Sequence, residues 1–302
     1  MTARPPSHVP PQAVFLIAGA VLCFALLDAS VKALTQRYPV PLLVWARYGV
    51  QTLAMLLWLA PSMGTGLLRT RQLPMQIGRG VILVGSSMFF FNALRFLPLA
   101  EATALSYLTP MLVVLLSALL LRERLTWVRM ALVGAGIAGM LLIVRPGTEV
   151  FQGAALLVLG SASLYAMYQI LTRKLAAEDI RVTLFYPAIV GTALLTVALP
   201  WIGTDVDVSW TDALLIVVAG LLGTIGHFMF IRAFQHAPAS ALTPFTYLQL
   251  VWATLIGWAA FDRFPDRYAL AGMAVISCSG LLVALHERRR ARAALAQPPV
   301  VD

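Results

Sequence analysis

Two opposite charges lie inside long apolar stretches of this sequence. Asp28 lies near the end of a first stretch and Arg47 near the start of a second. At a rise of about 1.5 Å per helical residue, the two side chains are expected at a similar depth. A charge inside a membrane span is costly, so it finds a partner or marks a function. The pair predicts either mutual compensation or contacts with the carboxylate and ammonium groups of an amino acid, with Lys32 as a competing partner of Asp28.

A second group of polar and aromatic side chains lies in three other apolar stretches. A small organic ligand needs an apolar pocket with a few polar groups, so part of this group is expected to face a cavity. Ordinary helix packing is the alternative for each aromatic residue. The further cavity candidates are Ser87, Met88, Phe90, Asn92, Tyr165, Tyr168, Gln169 and His227. The last of these could couple transport to protons or hydrogen-bond a neighbouring helix.

One residue pattern occurs twice, at a constant offset. Its first copy is Ala93, Pro98, Thr103, Tyr107 and Leu108, and its second copy is Ala233, Pro238, Thr243, Tyr247 and Leu248. After a one-residue shift the correspondence extends upstream, where Gly19 and Phe24 match Gly160 and Tyr165. The repeated tyrosines are candidates for mirrored gates, one in the outer and one in the inner half of the membrane. Alternatively, each hydroxyl satisfies a buried backbone carbonyl.

The composition is that of a membrane protein. Of the 302 residues, 60% are hydrophobic and only 12% are charged, far more apolar than an average soluble domain. A membrane-spanning helix needs about 20 apolar residues. About ten stretches approach this length, at residues 13–33, 41–60, 77–97, 101–121, 126–144, 152–172, 182–200, 212–234, 240–261 and 268–286.

Each copy of the repeat contains about five of these stretches, so the second copy starts on the opposite side of the membrane. The predicted fold is therefore an all-α membrane protein with about ten transmembrane helices arranged as two inverted five-helix repeats. Inverted repeats place a substrate near the membrane midplane and expose it alternately to the two sides. The expected units are an N-terminal tail (1–12), two repeats (13–145 and 151–286) and a basic C-terminal tail (287–302).

The net charge of +9 would suit nucleic-acid binding in a soluble protein. Here the Lys and Arg residues concentrate in the segments that share a face with both termini, which the positive-inside rule places in the cytoplasm. The expected location is the inner membrane of a bacterium, with the lipid bilayer and a small molecule as partners and no nucleic acid. Cys23 and Cys278 lie in different spans without ligand-like spacing, so neither a metal nor another cofactor is expected.

Several segments also carry a family resemblance. They are Phe91 to Leu94, Ala100 to Thr103, Tyr107, Thr109 with Pro110, Leu121 to Thr126, and the glycines at 134, 136 and 139. This pattern resembles the first repeat of the EamA family in the drug/metabolite transporter superfamily. The second copy is more divergent, since Asp262 stands where the first has Glu123. The resemblance implies a transporter, with bacterial exporters of amino acids, including aromatic ones, as the nearest likeness.

The expected function is secondary transport, by alternating access, that exports small amphipathic metabolites such as amino acids with apolar or aromatic side chains. The sequence has no Walker A motif, so a gradient or exchange must supply the energy. Asp28, Glu101 and His227 are candidates for proton coupling. A multidrug or nucleotide-sugar carrier is the alternative, and an intramembrane enzyme is a remote one, since no motif such as HExxH is present. A monomer is expected, with a homodimer left open.

Overall fold

The computed structural model describes residues 10–121, 126–145, 149–175, 177–202, 207–237 and 239–296, and this part of the chain is folded into α-helices and one 3₁₀ turn. The helices are α1 (Pro11–Leu34), α2 (Val40–Met63), α3 (Leu73–Leu94), α4 (Leu99–Ser106), α5 (Thr109–Leu121), α6 (Trp127–Val144), α7 (Glu149–Lys174), α8 (Ile180–Ile202), α9 (Trp210–His236), α10 (Ala239–Thr246), α11 (Leu248–Phe261) and α12 (Arg267–Ala296).

Nine spans within the described residues are long and apolar enough to cross a membrane. They are α1, α2, α3, α4 joined to α5, α6, α7, α8, α9 and α12. The pair α10 and α11 is the second-repeat counterpart of α4 and α5. The predicted all-α membrane fold is therefore confirmed. Trp127, Trp201 and Trp210 lie almost fully exposed at helix ends, as expected of aromatic residues at membrane interfaces.

Two predicted spans are each broken into two helices, which corrects the expectation of continuous helices at 101–121 and 240–261. The breaks fall at Tyr107 and Leu108 and at Tyr247. Pro110 has no N–H to donate to the Ser106 carbonyl, and that carbonyl instead accepts from Thr109 Oγ1 at 2.7 Å. A break within lipid is tolerated where side chains satisfy the freed backbone groups.

The two repeats pack by the same rules. A methyl group on Gly80 of α3 would lie 2.8 Å from Val190 Cβ, and one on the equivalent Gly220 of α9 would lie 2.6 Å from Val50 Cβ. The helix pairs follow the same symmetry: α1 with α9 matches α7 with α3, and α2 with α9 matches α8 with α3. Small residues let helices approach closely in a membrane. The inverted repeat is thus visible in individual contacts.

The last helices of the two repeats depart from this symmetry. Among the described residues, α12 packs against α4, α5 and α10, whereas its counterpart α6 packs against α5 and has at most marginal contact with α10 and α11. Gly280 of α12 lies directly against the Tyr247 hydroxyl. Helix α12 also continues to Ala296, well into the predicted basic tail.

Candidate functional site

A central cavity of about 360 Å³ lies among helices of both repeats. Its wall is contributed by α1, α2, α3, both broken spans, α7 and α9. Most of the sequence-predicted residues line it, namely Asp28, Arg47, Ser87, Phe90, Tyr107, Tyr165, Gln169 and His227. The inverted packing of the repeats brings these residues to one place although they are spread over 200 positions of sequence.

Asp28 and Arg47 share this cavity without a direct ion pair. Both are buried, at 8% and 9% exposure, yet within the described part of the chain no N–O distance of 4.0 Å or less joins them. Asp28 Oδ2 accepts from Gln249 Nε2 at 3.5 Å. The Arg47 guanidinium lies 4.9 Å from the Tyr48 ring centre and 5.4 Å from that of Phe91, and its buried Nε has no hydrogen-bond partner there. The charges therefore do not neutralise each other by contact.

Lys32 is not the partner of Asp28. Its Nζ donates to the carbonyls of Leu94 and Leu97, both at 2.7 Å, and thereby caps the end of α3.

Glu101, in the first turn of α4, is buried, and its Oε2 has no hydrogen-bond partner in the described structure. Glu101 lies outside the central cavity lining. Among the charged candidates, Asp28 and Arg47 are thus the pair that faces the cavity.

Tyr107 and Tyr247 meet at the two helix breaks. Their rings stack with centres 4.6 Å apart and planes 27° from parallel. The two residues that the inverted repeat was expected to separate into an outer and an inner half therefore contact each other directly. Tyr107 Oη donates to the Thr246 carbonyl at 2.5 Å, as the alternative role of a hydroxyl satisfying a buried carbonyl predicts. Tyr107 lines the cavity, and Tyr247 does not belong to its lining.

A chain of polar contacts links the cavity charge to the breaks. Gln249 donates to Asp28, and its Oε1 lies 3.5 Å from Tyr107 Oη. Sequence reasoning missed Gln249, although a signal existed: Gln249 and its repeat counterpart Thr109 are both polar residues just after the repeated Tyr-Leu, and both line the cavity. Asp28, Gln249 and Tyr107 therefore form a continuous chain of polar contacts between the cavity and the two breaks.

Three of the predicted cavity residues, Met88, Asn92 and Tyr168, lie outside the cavity lining. Asn92 Nδ2 donates to the Met88 carbonyl within its own helix at 2.8 Å, so this amide is used locally. Tyr168 stacks against Tyr165 with ring centres 5.6 Å apart and faces Arg79 at 5.0 Å. Tyr168 thus supports a cavity residue from behind.

The cavity lining also contains Ser86, Ser161, Phe24 and Phe230. Ser86 and Ser161 exchange hydrogen bonds between α3 and α7, with each hydroxyl on the other's carbonyl at 3.0 and 2.8 Å. Phe24 and Phe230 add aromatic wall. Their roles depend on a partner in the other repeat, which no local pattern reveals.

His227 lies between two cavities. It lines the central cavity and also a second one, the side cavity, of about 280 Å³ between α2, α8 and α9. Its ring contacts Phe24 edge-on at 4.9 Å. Among the described residues no group of three or more His, Cys, Asp and Glu side chains could hold a metal ion. The central cavity, with Asp28 and Arg47 in a largely aromatic lining, is suited to holding a molecule that carries two opposite charges and an apolar group.

Comparison with known proteins gives one family. The model of the EamA-like transporter family matches residues 11–145 and 152–285. An uncharacterized transporter of Helicobacter pylori is 32% identical over 285 residues, which cover 90% of this chain and 94% of that protein. An S-adenosylmethionine uptake transporter of Rickettsia felis is 28% identical, over 75% of this chain and 76% of its own length.

A pseudopaline exporter of Pseudomonas aeruginosa is 27% identical over 272 residues, which cover 89% of this chain and 95% of that protein. One solved crystal structure superposes with a TM-score of 0.66 at 23% sequence identity, covering 92% of this chain and 98% of the other. At this level of identity the structural match concerns the fold alone.

Proposed function

Because this chain belongs to the EamA-like transporter family, we propose that it is a secondary transporter that exports small zwitterionic metabolites, with apolar and aromatic amino acids as the first candidates. The observation that carries this proposal is the pair Asp28 and Arg47, which line one cavity without contacting each other. Two separated opposite charges match the ammonium and carboxylate groups of an amino acid. A phosphate-bearing substrate would instead favour several cations at the site.

The rest of the cavity supports this substrate class. Arg47 has a free buried Nε, and a guanidinium binds carboxylates through strong charge-assisted hydrogen bonds. Asp28 is held by one weak contact from Gln249 and is the acceptor for an ammonium group. Phe90 and Tyr165 supply an aromatic wall for the side chain. The volume is at the lower end of the range of about 300 to 1,000 Å³ for ligand pockets, which suits a small molecule.

The names of the relatives agree with such a substrate. S-adenosylmethionine, named for the Rickettsia felis relative, carries the amino-acid group of methionine. That relative is named for uptake and the Pseudomonas aeruginosa relative for export. The direction of a carrier follows the gradients on its two sides, so uptake and export are compatible with one fold. For this chain we propose export from the cytoplasm of a bacterium, with the spans in the inner membrane and both termini in the cytoplasm.

Alternating access is supported by the unequal packing of α6 and α12. If the two repeats had identical conformations, the protein would be symmetric about the membrane midplane, and the cavity would be equally accessible from both sides. Among the described residues, α12 packs against both broken spans, whereas α6 packs against α5 and has at most marginal contact with the other broken span. Exchange of these roles between the repeats would produce the second state. The contacts from Asp28 through Gln249 to Tyr107 would carry the effect of a bound ammonium group to the breaks.

The test is counterflow into liposomes that contain the purified protein. Labelled phenylalanine, leucine, glutamate and a quaternary-ammonium drug are compared for saturable exchange. We expect phenylalanine and leucine to exchange, and we expect Asp28→Asn and Arg47→Gln to reduce exchange at least tenfold, since each removes a charge-assisted hydrogen bond. Asp262→Asn and Arg95→Gln are matched controls, because both residues are exposed.

Exchange of the drug alone would replace this proposal with a multidrug carrier. Exchange of amino acids that is unaffected by both substitutions would retain the substrate class but remove Asp28 and Arg47 from its recognition. The double charge exchange Asp28→Arg with Arg47→Asp separates structure from binding: a folded protein without transport indicates contact with the substrate.

A further inference from the structure

The side cavity has an apolar wall that runs parallel to the helices. On α9 it extends from Thr224 to Gln235, about 16 Å at the helical rise. Trp58 and Phe228 contact each other edge-on in its wall, with ring centres 4.7 Å apart. These rings provide a surface for an apolar or aromatic side chain.

One end of the side cavity is basic. Arg181 lies at the start of α8 and Arg232 near the end of α9. Arg181 donates to the Asp179 carboxylate at 2.8 Å, and this hydrogen bond lowers the pKa of Asp179. The Arg232 guanidinium folds back to lie 5.5 Å from the Phe228 ring centre. A carboxylate in the side cavity would therefore meet a guanidinium beside an aromatic surface.

The side cavity also contains a buried acceptor that lacks a donor. Gln51, in the middle of α2, is only 6% exposed, and its Oε1 has no hydrogen-bond partner within the described structure. An unpaired buried polar group costs free energy, so a ligand that donates a hydrogen bond to Gln51 would gain binding energy. A positively charged ammonium group is a strong donor of this kind.

We propose that the side cavity is a second binding site for the zwitterionic substrate, with the carboxylate at Arg232, the ammonium group on Gln51 and the side chain against Trp58 and Phe228. This inference rests on the proposed function, because it assigns the same substrate class to a new site. His227 forms the shared wall of the side and central cavities. The side cavity is thus a vestibule from which the substrate passes His227 to reach Asp28 and Arg47.

The experiment is equilibrium binding of radiolabelled phenylalanine to the purified full chain. We expect two molecules per wild-type protein. Arg47→Gln should weaken one site and Gln51→Leu the other, each at least tenfold, so that at a concentration that just fills both wild-type sites each single variant binds one molecule and the double variant none. Arg232→Gln should weaken the second site about tenfold, whereas Arg289→Gln, which removes an exposed arginine from α12, should leave both sites unchanged. A monodisperse elution profile and an unchanged apparent Tm establish that each variant is folded.

Two analogues identify the groups that are recognised. 3-Phenylpropionate lacks the ammonium group, so Gln51→Leu should not change its competition at the side cavity. Phenethylamine lacks the carboxylate, so Arg232→Gln should not change its competition there. One bound phenylalanine that depends on Arg47 and not on Gln51 or Arg232 would overturn the vestibule and leave the proposed function intact. No binding by the wild-type protein would overturn both.

Discussion

The seam between α3 and α7 and the seam between α1 and α9 are the same contact made twice, but they are held by different forces. In the first seam, Ser86 and Ser161 are hydrogen-bonded across the helices. In the second seam, the equivalents are Gly226 and Ala20, and a methyl group on Gly226 would lie 2.8 Å from Phe24 Cε1. One seam is joined by polar groups and the other by shape.

The difference continues along both seams. Arg79 of α3 is fully buried and donates to Thr172 Oγ1 at 3.1 Å and to the Thr183 carbonyl. Its equivalent in α9 is Ala219, and Val31 of α1 stands in the place of Thr172. Inverted symmetry therefore constrains the backbone and the small residues at crossings, while the chemistry between the helices is free to diverge.

The ends of the two seams show the same freedom in their charges. Asp212, at the start of α9, accepts from Arg37 at 3.1 Å and from Tyr38 at 2.8 Å. At the equivalent place in the other repeat the acid is Glu178, after α7, which accepts from Thr70 Oγ1 at 2.9 Å and from the Arg71 backbone N–H at 3.1 Å. In one seam the acid is on α9 and its donors follow α1, whereas in the other the acid follows α7 and its donors precede α3. In both seams a polar contact joins the two chain segments at the end of the helix pair.

The largest effect is expected from Gly226→Leu, which places a large side chain where the α1–α9 seam depends on shape. The contact with Phe24 leaves no space for it, and we expect a loss of about 3 kcal/mol in unfolding free energy or failure to fold. Denaturant titration in mixed micelles measures this loss. Gly134→Leu on α6 is the control, because nothing lies within 4 Å of a methyl group there. Equal stability of both variants would refute close packing at Gly226.

A smaller effect is expected from Arg79→Gln in the polar seam. The shorter side chain cannot reach Thr172 Oγ1 of α7 or the Thr183 carbonyl of the neighbouring α8, and a buried acceptor without a donor costs about 1 to 3 kcal/mol. The same titration measures the change, with Arg95→Gln at the exposed end of α3 as the control. If Arg79→Gln is as stable as its control, the contacts of Arg79 with α7 and α8 do not contribute to stability.

The smallest effect is expected from the serine pair, measured by a double-mutant cycle of Ser86→Ala and Ser161→Ala. Hydrogen bonds between membrane helices have an average coupling of about 0.6 kcal/mol, so we expect a value of this size. Ser163→Ala replaces Ser161→Ala in the control cycle, because the Ser163 hydroxyl bonds within α7, to the Leu159 carbonyl. A coupling near zero would mean that the two hydroxyls act independently, each through its bond to the other residue's carbonyl. If neither single variant lost stability, both seams would be held by shape.

Sequence reasoning reached the spans, the repeat and much of the cavity because each has a local signal. Apolar length predicts a span, and charges such as Asp28 and Arg47 stand out within one. The breaks at Tyr107 and Tyr247 were missed although Pro110 and Pro244 lie beside them, because each tract as a whole is long and apolar enough to be read as one span. The role of Gln249 depends on Asp28, 221 positions away, and no local pattern encodes such a contact. The stacking of the two tyrosines likewise depends on how the two repeats pack together.

The contact between the two breaks has a consequence for biogenesis. Tyr107 Oη donates to the Thr246 carbonyl, which lies 139 positions later in the chain. At about 5 to 20 residues per second of synthesis, Tyr107 is made roughly 7 to 30 seconds before its acceptor exists. The half that is made first therefore enters the bilayer with a donor whose acceptor is still to be translated, and the half that follows finds the partner for its broken helix already in place.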